Sequence, residues 1–105
     1  MPHELLKGQP LILIVDDMTE NLKVIGSILK EEKYRIIVAT DGVKAIELAS
    51  SQKPDLILLD IQMPGIDGYE VCKRLKIHQV TFAIPVVFLS AYNEPSYISM
   101  GFEAG

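Results

Sequence analysis

The chain has 105 residues, is 49% hydrophobic and 23% charged, and carries a formal charge of -4, which suits one compact domain near the small end of the usual range. That acidic balance removes the electrostatic basis for nucleic-acid or anionic-membrane docking and leaves proteins and ions as the expected partners. Cys72 is the only cysteine, so an internal disulfide is excluded. No apolar run approaches the roughly 20 residues of a spanning helix, so no membrane segment and a cytoplasmic setting are expected.

Residues 1–10 mix His3, Glu4, Lys7, Gly8 and Pro10 without a period and predict a flexible N-terminal leader, with the folded domain over 11–105. Residues 11–15, 36–39, 56–59 and 85–89 are continuous β-rich runs rather than alternating ones, the pattern of strands buried on both faces. Between them Leu22, Ile25, Ile28 and Leu29 share one helical face, as do Gly42, Ala45, Ile46 and Ala49, and then Val71, Cys72 and Leu75. The last set predicts a buried Cys72 thiol. Asp41 is placed as an N-cap, Asp67 with Glu70 as a capping box, and Pro95 in the first turn of a fourth helix containing Ile98 and Phe102.

Strict alternation of strand and helix predicts an α/β fold with a parallel sheet, right-handed crossovers and helices on both faces. A doubly wound, flavodoxin-like order of 2-1-3-4-5 sets the first and third strands side by side, with a crevice at their carboxyl ends. Asp16 and Asp17 end the first of these strands and Asp60 ends the third. Ser90 ends the fourth and borders the same crevice. Like charges at ~5 Å repel by about 3 kcal/mol per pair at an effective dielectric of about 20, so a cation is the expected occupant. Mg²⁺ suits an all-oxygen donor set, whereas Zn²⁺ does not, because neither His nor Cys lies near these strand ends.

A carboxylate beside Mg²⁺ can attack a phosphoryl group and form an aspartyl phosphate. Asp60 stands alone on its strand and is the candidate nucleophile, leaving Asp16 and Asp17 to hold the ion and Ser90 to donate to a phosphoryl oxygen. Each position has a plainer reading: Asp17 with Glu20 makes an acceptable capping box, Asp60 is an ordinary strand-end acid, and Ser90 a loop-entry hydroxyl. Their convergence on one crevice favours a site.

The stretches Ile12-Leu13-Ile14-Val15-Asp16-Asp17, Asp55-Leu56-Ile57-Leu58-Leu59-Asp60-Ile61-Gln62-Met63-Pro64-Gly65-Ile66-Asp67-Gly68 and Pro85-Val86-Val87-Phe88-Leu89-Ser90-Ala91 resemble the receiver domain of bacterial response regulators. The resemblance implies that Asp60 accepts phosphate from a sensor histidine kinase or a phosphotransfer protein. It also implies that Asp17, Asp60 and the Gln62 backbone carbonyl bind Mg²⁺, with Asp16 reaching the ion through water. Ser90 becomes the switch hydroxyl, and the Ala91 amide faces the phosphoryl group. Gln62 and Tyr92 occupy positions that tune phosphoryl lifetime, and Tyr92 is expected to slow hydrolysis by screening the attacking water. The implied output is binding rather than enzymatic turnover, passed to a C-terminal output domain.

The chain departs from that pattern at its end. A receiver continues into a fifth strand, a Lys that pairs with the phosphoryl group, a Pro and a fifth helix, none of which is present before Gly105. The expected sheet is therefore 2-1-3-4, an incomplete receiver with an unpaired edge, prone to a homo-oligomer or swapped dimer and weak in phosphorylation. Three other functions fit the fold class, the first a receiver fold used only as a protein-binding scaffold without phosphorylation, against which the intact triad of Asp16, Asp17 and Asp60 argues. A haloacid dehalogenase-type phosphatase needs two Asp separated by one residue, and Asp16 and Asp17 are adjacent. A flavin or nucleotide binder needs a Ser/Thr/Gly-rich phosphate loop, where this chain has Asp16-Asp17-Met18-Thr19-Glu20-Asn21.

Overall fold

The computed structural model describes residues 9–89, so most of the leader and the fourth helix expected around Pro95 lie outside the described residues. Seven elements follow one another: β1 (Leu11–Val15), α1 (Thr19–Glu31), β2 (Arg35–Ala39), α2 (Gly42–Gln52), β3 (Leu56–Asp60), α3 (Gly68–Lys76) and β4 (Val86–Leu89). All strand pairs are parallel and the order is β2-β1-β3-β4, as the alternation predicts. The register pairs Val15 with both Ala39 and Leu59, so the carboxyl ends of the three strands finish level with one another.

Local chemistry sets the helix ends. Asp41 accepts from the Lys44 amide at 2.8 Å and Asp67 from the Glu70 amide at 2.9 Å, each satisfying a first-turn donor of α2 or α3. The reciprocal arm of the expected capping box does not form, because the Glu70 carboxylate turns forward to Arg74 Nε at 2.9 Å, an i,i+4 pair along the helix. At the other end of α3 the fully buried Thr81 donates its hydroxyl to Leu75 O at 2.6 Å, and Lys76 Nζ donates to Ile84 O at 2.8 Å. The turn into β4 is thereby tied to a helix C-terminus whose partial negative charge favours the cation.

The sheet is covered unequally. Leu13, Val15, Ile57, Leu59, Val86 and Phe88 face α2 and α3, where Ala45, Ala49, Val71, Cys72 and Leu75 complete the larger core. Tyr69 tilts against Phe88 with ring centroids 4.9 Å apart, fastening α3 to β4. Gly42 lets α2 approach α3, since a Cβ there would lie 2.5 Å from Ile66 Cγ1 and 2.6 Å from Val71 Cγ2. The opposite face carries a smaller cluster, Ile12, Ile14 and Leu22, with Ile25, Leu29, Ile36, Leu56 and Leu58 packed against it.

Two further expectations are corrected. Ile28 is 57% exposed although its spacing matches Leu22, Ile25 and Leu29, because the apolar stripe of α1 touching the sheet is narrower than its sequence pattern. β2 is not buried on both faces: it is the outermost strand, and Val38 is 46% exposed. A continuous apolar run fits an edge strand as readily as a central one, and only strand order separates them.

Candidate functional site

Because Val15 pairs with Leu59 in the register, the next residues, Asp16 and Asp60, emerge side by side from adjacent strands, with Asp17 one step further on. Each of the three offers a carboxylate oxygen, and these atoms lie within 4.8 Å of one another. Asp16 and Asp60 are buried, at 4% and 7% exposure, while Asp17 opens to solvent. Burying two acids side by side is costly unless hydrogen bonds or a cation answer them.

Asp16 has its hydrogen bonds. Its Oδ1 accepts from the Met18 amide at 2.9 Å and its Oδ2 from Asn21 Nδ2 at 3.0 Å, while its own amide donates to Ala39 O at 3.1 Å. This clamp shapes the β1–α1 turn. The plainer capping reading of Asp17 does not occur, since the N-cap of α1 is Met18 and no side chain caps it. Asn21 is a contributor that residue type and spacing did not single out. The only local signal was an amide side chain inside the first turn of a helix lacking an ordinary cap.

Asp60 is under strain of a different kind. Its carboxyl is pushed up from 3.8 to about 6, chiefly by burial and next by the neighbouring Asp16 charge, with Asp17 adding to the rise. A hydrogen bond from the Gln62 backbone opposes it. Crowded carboxylates thus behave as expected for a site short of positive charge. The loop after Asp60 is held close: Ile61 and Met63 are buried, Gly65 takes φ +79°, and the Gly68 amide donates to Ile61 O at 2.8 Å. A side chain at Gly68 would overlap the Asp60 carbonyl oxygen and come within 2.8 Å of the Ile61 Cα, so only glycine admits α3 this close to the site. Ser90, Ala91 and Tyr92 lie outside the described residues.

Over residues 12–105 the chain matches the family model of the response regulator receiver domain. It belongs to that family. This receiver is 40% identical over 94 residues to the response regulator PleD of Caulobacter vibrioides, an alignment covering 90% of this chain and 21% of PleD. It superimposes on the N-terminal domain of a response regulator receiver protein from Methanoculleus marisnigri with a TM-score of 0.82 at 34% identity, covering 90% of this chain and 77% of the other. Another structural match is the receiver domain of sensor histidine kinase PA1611 from Pseudomonas aeruginosa, solved with a magnesium ion coordinated in the active site cleft. The TM-score is 0.80 at 29% identity, covering 93% of this chain and 80% of that one.

The receiver spans between about a fifth and two fifths of the length of the first curated relatives it matches, at 21% of PleD and 38% of the Bacillus subtilis regulator PhoP. Family membership disfavours the phosphatase reading, in keeping with the adjacency of Asp16 and Asp17. Among the described residues no helix is long and apolar enough to cross a membrane.

Proposed function

We propose that Asp60 is the phosphoacceptor of this receiver. A carboxylate oxygen attacks the phosphohistidine of a sensor histidine kinase or a phosphotransfer protein; an O–P bond forms, the N–P bond breaks, and the imidazole leaves with the electron pair and takes up a proton. The observation that carries this reading is the trio of ligand atoms from Asp16, Asp17 and Asp60 within 4.8 Å. An all-oxygen set of three acids, one of them holding its proton up to about pH 6, fits a small hard cation.

Asp17, Asp60 and the Gln62 carbonyl would hold Mg²⁺, with Asp16 reaching it through water. The magnesium in the cleft of the PA1611 receiver supports that assignment. Bound there, the ion offsets negative charge on the transferring oxygens. The chain's own residues do the rest. Asp16, anchored by Met18 and Asn21, keeps the β1–α1 turn in place, and the Gln62 hydrogen bond orients Asp60. The Ser90 hydroxyl and Ala91 amide are assigned to the phosphoryl oxygens, and the acyl phosphate shifts the domain between inactive and active conformations. The product of this site is a binding signal for an output region of a cytoplasmic regulator, and the protein is not an enzyme toward other molecules.

Incubation of the full-length protein with Mg²⁺ and acetyl phosphate should add one phosphoryl group by intact mass, removable by hydroxylamine. Asp60→Asn should abolish it. Equal labelling of wild type and Asp60→Asn would place the acceptor elsewhere.

A further inference from the structure

The outer edge of β2 supplies none of the residues assigned to phosphotransfer, yet it is built like a binding groove. Arg35 N donates to Pro10 O at 2.9 Å and Ala39 O accepts from Asp16 N at 3.1 Å, so the odd-numbered residues of β2 bond inward toward β1. Bonding alternates along a parallel strand, which leaves the N–H and C=O of Ile36 and Val38 directed at the side of β2 that has no neighbouring strand among the described residues. Against that edge lies a groove of about 710 Å³ floored by β2, with Leu22 and Gly26 of α1 on one wall and Leu48 of α2 on the other. It therefore straddles both faces of the sheet, as the space for one more strand must.

Two further features mark it. Gly26 sits mid-helix, where a Cβ would meet nothing within 4 Å, so its packing does not require glycine and its effect is to keep the α1 wall recessed. Lys23, Lys30 and Lys44 line the groove, and among the described residues no acidic side chain does. Lys23 and Lys30 have no carboxylate partner among the described residues, and Lys44 has only an exposed contact to Glu47 at 3.9 Å. This concentration of cations stands out on a chain of net charge -4.

We propose that the β2 edge docks an extended acidic segment of a partner protein as an added strand. The segment's backbone pairs with Ile36 and Val38, its carboxylates reach the three lysines, and its apolar side chains rest on Leu22 and Leu48. A second copy of this chain is the poorer occupant, because edge-to-edge pairing would bring two lysine-lined grooves together.

The test uses two fluorescent peptides, one of alternating Glu and Val and one of alternating Lys and Val, titrated with the purified protein and followed by anisotropy. The acidic peptide should bind saturably and at least about tenfold more tightly than the basic one. Its binding should protect the Ile36 and Val38 amides from hydrogen exchange. Lys23→Glu with Lys30→Glu, and separately Gly26→Leu, should each weaken it by about tenfold or more while leaving Asp60 phosphorylation and the circular dichroism spectrum unchanged. Should Gly26→Leu fail to fold, the surface lysine pair decides the matter alone. Equal affinity for both peptides, indifference to the lysine substitutions, or protection elsewhere on the sheet overturns the proposal. So does sedimentation showing a β2-mediated dimer that the glutamate substitutions do not weaken.

Discussion

The two faces of the sheet make an informative pair. Under α2 and α3, Leu13, Val15, Ile57 and Leu59 are fully buried. Under α1, among the described residues, only Ile12 and Ile14 of the strands reach burial, while Leu56 and Leu58 remain partly covered. A helix is about 10 Å across and strands lie about 4.8 Å apart, so one helix roofs roughly two strands and two helices roof the four. Stability is therefore concentrated on the side whose α3 also presses Gly68 against the Asp60 carbonyl. The well-packed face positions the acid, and the β2 edge, open among the described residues, lies between the two faces.

Neighbouring residues of β3 give the sharpest way to break this comparison. Leu59→Ala, on the α2–α3 side, should cost about 2–5 kcal/mol in urea denaturation, and Leu58→Ala, on the α1 side, roughly half as much. Equal losses would show the two faces to be equally packed.

The next effect is a pH dependence in metal-free buffer. Because the folded chain holds the Asp60 proton up to about pH 6 against 3.8 for the free acid, its contribution to stability is complete below about pH 4 and is lost as pH rises to about 6. At 1.36 kcal/mol per pKa unit the loss is at most about 3 kcal/mol, less whatever solvent in the crevice relieves. Asp60→Asn should flatten this slope in thermal melts, and Mg²⁺ at pH 7 should restore the lost stability to wild type only.

Gly68→Ala sharpens the link between packing and site. A methyl driven into the Asp60–Ile61 backbone should cost about 1–3 kcal/mol and lower acetyl phosphate labelling together with stability. Retained stability with full labelling would show that the loop relaxes freely. The smallest expected effect is at Ile28, where replacement by Ser should change stability by less than about 0.5 kcal/mol, against a clear loss for Ile25→Ser in the α1 cluster.

Much of the site was legible from local pattern. Asp16, Asp17 and Asp60 could be placed together because Asp16 and Asp60 directly follow apolar strand runs, Asp17 comes next after Asp16, and parallel α/β topology aligns the carboxyl ends. The caps at Asp41 and Asp67 were legible for the same local reason. Asn21 was not, because its partner is set by how α1 leaves the strand rather than by spacing. Nor was the exposure of Ile28 and Val38, whose types and periods equal those of buried neighbours.

Residue order by itself determined the alternation of strands and helices, where α2 and α3 start, and which strand ends carry acids, since hydrophobic period and capping chemistry act within a few residues. Tertiary structure decided which apolar side chains lose contact with water, that Asp16 rather than Asp17 organises the turn, and that Lys23 and Lys30 of α1 meet Lys44 of α2 along one edge. Those outcomes depend on how far each helix extends over the sheet and where the crossovers return the chain. Both are set by packing between segments distant in sequence.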